Sequence, residues 1–381
     1  MTRPAQEASL GLRPQRPGYP VQDPQKDEDS LLIGLEVSSV ATPKPTGVAR
    51  YANRLIQALG RLPGSPRLEY YIRPQNRKHR QSFVFGDKAR VYLDPVWPLF
   101  GGPELFHGLD CRLPRWPKCR QLVTFHDLAI IRLRDQGICS DRFFEKKMLQ
   151  YKEALDRADW VLTVSSQTRL DLVELLGADP ERITATPLAA DRRFFEPAGP
   201  LPEAWGLDQP YLLFVGSLST RKNLTRLIQA YGQSGARQTH ILVLAGEMGY
   251  GHQEILAEVE RLGLKEQVRL LDFVSDAQLP SLYQQAAAFV FATLYEGFGI
   301  PLLEAMASRT PVVAGNQGSA PEVVGSEGVL VDPYQVESIA EGIDRALQRS
   351  PEQMEAAYRA AQQYSWEATA AKTFECYQRL L

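Results

Sequence analysis

The sequence predicts an α/β protein made of two Rossmann-like domains, and three observations predict it. The chain has 381 residues, more than one compact core accommodates and enough for two domains. Short apolar runs of strand length alternate with segments whose apolar residues recur at helical spacing, the pattern of parallel βαβ units. A break containing Pro197, Pro200, Pro202 and Gly206 interrupts that alternation near the middle. The expected limits are a flexible leader over 1–29, a first domain over 30–196, a linker over 197–209, a second domain over 210–364 and a closing helix over 365–381.

Composition narrows the function. Apolar residues make up 44% of the chain, which supports large cores. A net charge of −2 supplies no global field to recruit nucleic acid. Cys111, Cys119, Cys139 and Cys376 show no CxxC spacing, and free thiols in a reducing compartment are expected. No signal peptide or long apolar span occurs, so a cytoplasmic location is expected.

The first domain follows in order. Residues 1–29 carry Pro, Gln, Arg and Asp without apolar periodicity and read as a flexible leader. Leu31 to Val37 is the first strand, Ala41 to Val48 a turn-rich loop, and Val48, Tyr51, Ala52, Leu55, Ile56 and Leu59 mark a helix. Gly47 in that loop is a second candidate anion or substrate position, although a lone glycine equally fits a plain connection. Arg67 to Ile72 and Gly86 to Leu93 read as strands. The basic cluster Arg73 to Arg80 between them is a solvated loop or a surface for anionic headgroups or an anionic acceptor. Glu104 to Gly108 and Gln121 to Asp127 are strands ending in polar groups. Ligands of open α/β sheets bind outside the carboxyl ends of the strands, which makes His107, His126 and Asp127 candidates against the plainer reading of structural side chains. Ser140 to Ala158 mixes aromatic and basic residues and reads as a packed helix with a wet face, or as a membrane-surface helix. Trp160 to Val164 is a strand, and Ser165 or Ser166 caps a helix that ends near Gly177.

The second domain opens with the strand Pro210 to Ser217, followed by Leu218 to Leu224 with Arg221 and Lys222. Asn223 or Thr225 caps the next helix, which carries Leu227, Ile228 and Tyr231. Two cations at a strand-to-helix turn invite a diphosphate. A unit charge pair ~4 Å apart contributes about 4 kcal/mol at an effective dielectric near 20. The plainer reading is two solvated surface cations. His240 to Ala245 and Gln267 to Asp272 are further strands. Ala286 to Thr293 reads as a buried strand, and Tyr295 to Met306 follows it. Gly297 and Gly299 permit a tight turn and leave the backbone open to close approach, Pro301 suits the first position of a helix, and the helix runs to about Ala307. Its free N–H groups and dipole suit a phosphate.

Glu296 and Glu304 frame that turn. Eight helical residues span ~12 Å, whereas hydrolase carboxyl pairs sit ~5–9.5 Å apart, which weighs against an acid/base pair. Two carboxylates gripping hydroxyls at the two ends of one elongated ligand is the better reading. Glu304 lies among Leu303, Ala305 and Met306, where an unpaired carboxylate is costly. Pro311 to Ala314 and Gly328 to Pro333 are the last strands, with a turn at Asn316 to Glu322 between them and two helices closing the chain.

The stretch Tyr295 to Met306 resembles the E-x7-E motif of retaining glycosyltransferases of the GT-B fold, particularly family four, and the resemblance runs from about Leu31 to the C-terminus. It implies two Rossmann-like domains facing across a cleft, with the last helix, near Trp366 to Leu380, packing back on the first domain. Gly216 and Arg221-Lys222-Asn223 resemble the phosphate-binding turn of the family. Some members have an arginine directly after the glycine; this chain has Ser217, and Arg221 is expected to supply that charge. His126-Asp127 resembles the His-Asp of the cleft, and Ser165 a serine that lines it. Pro187 to Asp191 resembles a P-x-G-x-D loop, with Ala189 where the family has glycine.

The resemblance implies transfer of a hexose, mannose or glucose, from a GDP- or UDP-linked donor to a glycan or lipid-linked acceptor. Retention is implied, with the leaving phosphate taking the acceptor proton. The implied catalytic residues are His126, Glu296, Lys222 and Arg221. The implied donor contacts are Gly47, Gly216, Arg221, Lys222, Val274, Glu296, Gly297, Phe298, Gly299, Ile300 and Glu304, with the base read by backbone around Phe273 and Val274. His107, Asp127 and Ser165 belong to the acceptor side of the cleft. No cofactor or metal is implied, because no His/Cys ligand cluster occurs and cations take its place. Contact with the inner membrane face stays open. Two alternatives share the architecture: a nucleotide-sugar epimerase, and a non-catalytic nucleotide-sugar-binding subunit. Intact Glu296, Lys222 and Glu304 argue against the second.

Overall fold

The computed structural model describes residues 31–42, 47–83, 88–92, 102–115 and 119–381. The expected leader, part of the loop before Gly47 and part of the expected strand at Gly86 to Leu93 lie outside the described residues.

Two parallel sheets organise the chain. The first contains β1 (Leu32–Glu36), β2 (Arg67–Ile72), β3 (Arg90–Val91), β4 (Leu105–Gly108), β5 (Arg120–Phe125), β6 (Trp160–Thr163) and β7 (Ile183–Ala185) in the order β3-β2-β1-β4-β5-β6-β7. The second contains β8 (Tyr211–Val215), β9 (Ile241–Ala245), β10 (Val268–Leu271), β11 (Ala288–Phe291), β12 (Val312–Gly315) and β13 (Val329–Val331) in the order β10-β9-β8-β11-β12-β13. Central strands are covered on both faces: Ile33 and Leu35 of β1, Leu212 to Phe214 of β8 and all four residues of β11 are fully buried. That is why they read as unbroken apolar runs in the sequence.

Each sheet starts in its middle and reverses direction. The reversals fall between β1 and β4 and between β8 and β11, where β1 pairs both β2 and β4, and β8 pairs both β9 and β11. Loops diverge at such a point and leave a crevice at the carboxyl ends of the strands.

The helices are α1 (Gly47–Leu59), α2 (Ala129–Arg132), α3 (Asp141–Arg157), α4 (Ser166–Leu176), α5 (Leu224–Gln233), α6 (His252–Arg261), α7 (Leu279–Gln284), α8 (Ile300–Ala307), α9 (Ala320–Val324), α10 (Val336–Ala346), α11 (Pro351–Ala361) and α12 (Trp366–Leu380). Ser165 caps α4 by accepting from the Thr168 N–H at 3.0 Å, and Gly177 ends it at φ +65°. Three helices rather than two follow β13, and Pro301 stands second rather than first in α8. Asn223 holds the cap position of α5, but its side chain does not cap. It adopts φ +59° and donates from Nδ2 to the carbonyls of Ala292 at 2.9 Å and Pro333 at 2.6 Å. Asparagine tolerates this left-handed conformation better than most residues, and its amide ties the turn after β8 to the loops after β11 and β13.

α3 exposes Phe143 and Leu149 alongside Arg142, Lys146 and Lys152. No helix among the described residues is long and apolar enough to cross a membrane.

α12 returns to the first domain and packs on α1 and β6. His107 is part of that docking rather than of the cleft. Fully buried, it bonds through Nδ1 to Tyr377 Oη at 2.7 Å and through Nε2 to Thr124 Oγ1 at 2.7 Å. Thr124 Oγ1 in turn meets Tyr51 Oη at 3.0 Å. The expectation that His107 lines the acceptor side is thereby corrected: it points into the core of β4, β5, α1 and α12. Burial, with His126 adding to it, pushes its imidazole down to about 3. Folding therefore favours the neutral ring, whereas an unfolded histidine titrates near ~6.5. Below that value the unfolded chain binds the extra proton, and stability is lost as pH falls from ~6.5 toward 3, by at most ~1.4 kcal/mol per unit. Glutamine does not titrate, so His107→Gln should show a shallower loss of thermal midpoint over that acid range. Equal slopes for variant and wild type would refute a neutral, buried His107.

Candidate functional site

The loops at the second switch point bring Arg221, Lys222 and Glu296 together. A short 3₁₀ turn over Thr220–Lys222 follows β8, and the run from Ala292 to Gly299 follows β11. Glu296 Oε1 lies 2.6 Å from Lys222 Nζ and 3.3 Å from Arg221 Nη1. Arg221 Nη1 also donates to the Tyr295 carbonyl at 3.1 Å. Lys222 Nζ sits 5.0 Å from the centroid of the Phe291 ring, within cation–π range. Lys222 and Glu296 are each about one-tenth exposed.

The electrostatics follow from burial and charge. Burial pushes the Glu296 carboxyl up, but the charges and hydrogen bonds of Arg221 and Lys222 together outweigh it and hold the group below the usual carboxylate range. Burial lowers the Lys222 ammonium more than Glu296 raises it. Glu296 raises the Arg221 guanidinium. Two cations and one carboxylate leave a net positive charge in a nearly dry turn, where charge interactions are stronger than in water.

Glycines shape the same spot. Gly216 has φ +150° at the end of β8, and a Cβ on Gly246 would lie 2.1 Å from the Gly216 carbonyl oxygen, so the loop after β9 lies directly on this turn. Gly299 has φ +87° at the start of α8. Phe298 is buried against Tyr364, ring centroids 5.8 Å apart. The N–H groups of Phe298 and Gly299 have no partner among the described residues. Ile300 opens α8. Val274 is buried beyond β10, while Phe273 is exposed. Gly47 is the first residue of α1, and a Cβ there would meet nothing within 4 Å among the described residues.

The first domain reaches into this site. A Cβ on Gly297 would lie 1.7 Å from the His126 carbonyl oxygen and 2.8 Å from Asp127 Cβ. Thr168 Oγ1 donates to the Gly297 carbonyl at 3.2 Å, and Tyr295 Oη bonds Asp171 of α4. Glu322 of α9 accepts from the N–H groups of Ser166 at 3.0 Å and Gln167 at 3.2 Å, so a carboxylate of the second domain fills the N-terminus of α4. Such termini favour negative charge.

The sequence-derived residues divide accordingly. His126 and Asp127 lie at the contact with Gly297. His126 Nε2 is 2.8 Å from the Leu109 carbonyl; a carbonyl only accepts, so Nε2 carries the proton and Nδ1 is left as an acceptor. Burial lowers this imidazole, in keeping with a neutral ring. Asp127 Oδ1 accepts from the Ala129 N–H at 3.1 Å. Ser165 is fully buried, and its hydroxyl is engaged by the Thr168 N–H and hydroxyl; it is a helix cap, and the expectation that it lines the cleft is corrected.

Glu304 is the second framing carboxylate, and its neighbours differ from those of Glu296. It is 1% exposed, with Oε1 2.7 Å from Arg50 Nη1 and Oε2 3.0 Å from Tyr283 Oη. Burial raises its carboxyl more than Arg50 and Tyr283 lower it. Arg50, Tyr283, Asp171 and Glu322 are the residues that sequence reasoning missed. Arg50 stands three positions after Gly47, inside a loop-to-helix segment already singled out, and its charge at that place was the available signal.

Known proteins bear on this arrangement. Residues 202–363 match the family model described as glycosyl transferases group 1. O-antigen chain mannosyltransferase B of Escherichia coli is 35% identical over 290 residues, covering 72% of this chain and 74% of that protein. An MMP alpha-(1->4)-mannosyltransferase of Mycolicibacterium hassiacum is 27% identical over 279 residues, covering 68% of this chain and 65% of that protein. Among solved structures, Anabaena HepE in complex with UDP and glucose superposes with a TM-score of 0.70 at 16% identity, covering 92% of this chain and all of that one. That likeness shows the fold: two parallel α/β domains in the GT-B arrangement. The match to the mannosyltransferase of Escherichia coli spans three-quarters of that protein and joins both domains seen here, and the chain belongs to the group 1 glycosyltransferases.

Proposed function

We propose that the chain transfers mannose from a nucleoside-diphosphate donor, with retention at the anomeric carbon, to a glycan or lipid-linked acceptor. The observation that carries this reading is the Arg221–Lys222–Glu296 cluster beside the N–H groups of Phe298 and Gly299, which have no partner among the described residues. A departing diphosphate needs its growing charge met by donors fixed before reaction. Arg221, Lys222 and the two N–H groups are suited to that task. Glu296 would accept from sugar hydroxyls and Glu304 from ribose hydroxyls. The neutral Nδ1 of His126 and the carboxylate of Asp127 would face the sugar and the incoming acceptor. Mannose is favoured over glucose by the names of the relatives in sequence. The base would be read by backbone around Phe273 and Val274, which would suit either a GDP- or a UDP-linked donor. Exposed Phe143 and Leu149 beside basic residues on α3 would suit an acceptor presented at a lipid surface.

The test is thermal stability against GDP, UDP and ADP, followed by transfer assays with the matching mannose and glucose donors. Saturation at ~100 times the dissociation constant adds ~2.7 kcal/mol of stability, a visible shift in midpoint. One diphosphate series is expected to shift the midpoint, and its mannose conjugate to be consumed only when an acceptor is present. Absence of any shift would reject the donor site described above.

A further inference from the structure

Glu304 is where the proposed nucleotide site and the first domain compete for the same atoms. Arg50 belongs to α1, yet its Nη1 reaches the buried Oε1 of Glu304 at 2.7 Å while its Nη2 lies 3.2 Å from Asp276 Oδ1. The side chain of Asp276 is 54% exposed and that of Arg50 34% exposed. The guanidinium is thus a fork, with one arm in a dry pocket and the other at its rim. A ribose hydroxyl donating to Glu304 Oε1 needs the place that Nη1 holds.

We propose that Arg50 is an internal occupant of the ribose position, exchanged for the ribose hydroxyls when a nucleotide binds, and that it thereby sets donor affinity. The proposal rests on the reading of Glu304 as the ribose ligand. Three features make the exchange workable. An empty pocket would leave Oε1 of a buried carboxylate without a hydrogen-bond donor, which is costly; the Arg50 guanidinium supplies one in the free protein, and a ribose hydroxyl would supply one in the bound form. Asp276 at the rim keeps a partner for the guanidinium after Glu304 is released, so no cation is stranded. Tyr283 continues to hold Oε2 throughout, so the carboxylate does not have to reorient. The exchange also couples nucleotide entry to a first-domain helix, because the arginine that leaves is carried by α1.

A protein whose binding-competent state is only partly populated binds with affinity reduced by that fraction, so removing the occupant strengthens binding. Titration calorimetry would use whichever of GDP, UDP or ADP gives the largest thermal shift. Arg50→Ala and Arg50→Gln should each bind it about fivefold tighter or more. The gain should vanish with the 2′,3′-dideoxy form of the same nucleotide, which lacks the exchanging hydroxyls. Arg50→Lys keeps a cation but cannot span both carboxylates, and an intermediate gain is expected; it serves if the neutral variants fold poorly. Unchanged or weaker binding in the Arg50 variants, with Glu304→Ala losing about tenfold or more, overturns the proposal while leaving the ribose reading intact. Wild-type affinity in Glu304→Ala overturns both.

Discussion

Replacing Lys222 with alanine should lower kcat by about two to three orders of magnitude. The ammonium is almost enclosed, 2.6 Å from Glu296 Oε1 and over the ring of Phe291. A cation so placed is already desolvated, so it meets a leaving diphosphate without first shedding water. Alanine removes that charge and leaves Glu296 with Arg221 alone, 3.3 Å away. The net positive charge of the turn is then cancelled, and a developing diphosphate meets a carboxylate and a cation in equal number. Truncation also opens a small void against Phe291. Lys222→Met separates the two effects, because it fills nearly the same volume without charge. Equal losses in the alanine and methionine variants, read in a transfer assay at saturating donor, would assign the effect to charge. Turnover near wild type in the methionine variant would show that Lys222 serves packing and not the leaving group.

Much of the framework was legible in the sequence because it is local. The strands β1, β8 and β11 are buried on both faces and therefore announce themselves as apolar runs. The Ser165 cap and the Gly177 end of α4 need only a few neighbouring residues, and both could be read without tertiary information. Arg221, Lys222 and Glu296 converge, as the family resemblance implies. What escaped depended on distant partners. Arg50 meets Glu304 across 254 positions, and His107 meets Tyr377 across 270; no periodicity encodes such pairings. His107 lies near the end of a strand on the side where ligands bind, yet α12 comes back over it and turns a surface position into core. Asn223 has the residue type and the place of a helix cap, but its amide is drawn instead to two carbonyls from later strands. At Gly297 the sequence predicts both a tight turn and a backbone open to close approach. The constraint that the sequence does not name is the partner: the first-domain backbone at His126 lies against it.

That constraint makes Gly297→Ala the sharpest test of how the two domains meet. The added Cβ would lie 1.7 Å from the His126 carbonyl oxygen and 2.8 Å from Asp127 Cβ. Contact distances for carbon are about 3.5 Å, so one side must retreat by well over an ångström. Neither side is free to do so. His126 is fixed by its ring bond to Leu109 and its edge contact with Tyr51, centroids 4.8 Å apart. The glycine loop is held by Thr168 on the Gly297 carbonyl and by Ser319, whose N–H and hydroxyl reach the Glu296 carbonyl at 3.1 and 3.0 Å. The strain is then relieved by parting the domains, which carries His126 and Asp127 away from Glu296. Misplacement of reacting groups by about 1 Å costs roughly a hundredfold in rate, so kcat/KM should fall by about that factor or more. Each sheet keeps its own core, and the thermal midpoint should fall far less than a comparable core lesion would cause. Gly199→Ala is the control, since a Cβ there meets nothing within 4 Å; it should behave as wild type. If Gly297→Ala also kept most of its kcat/KM, the close approach of His126 to the glycine loop would not exist in the state that turns over, and the acceptor side would have to meet the donor loop by another face.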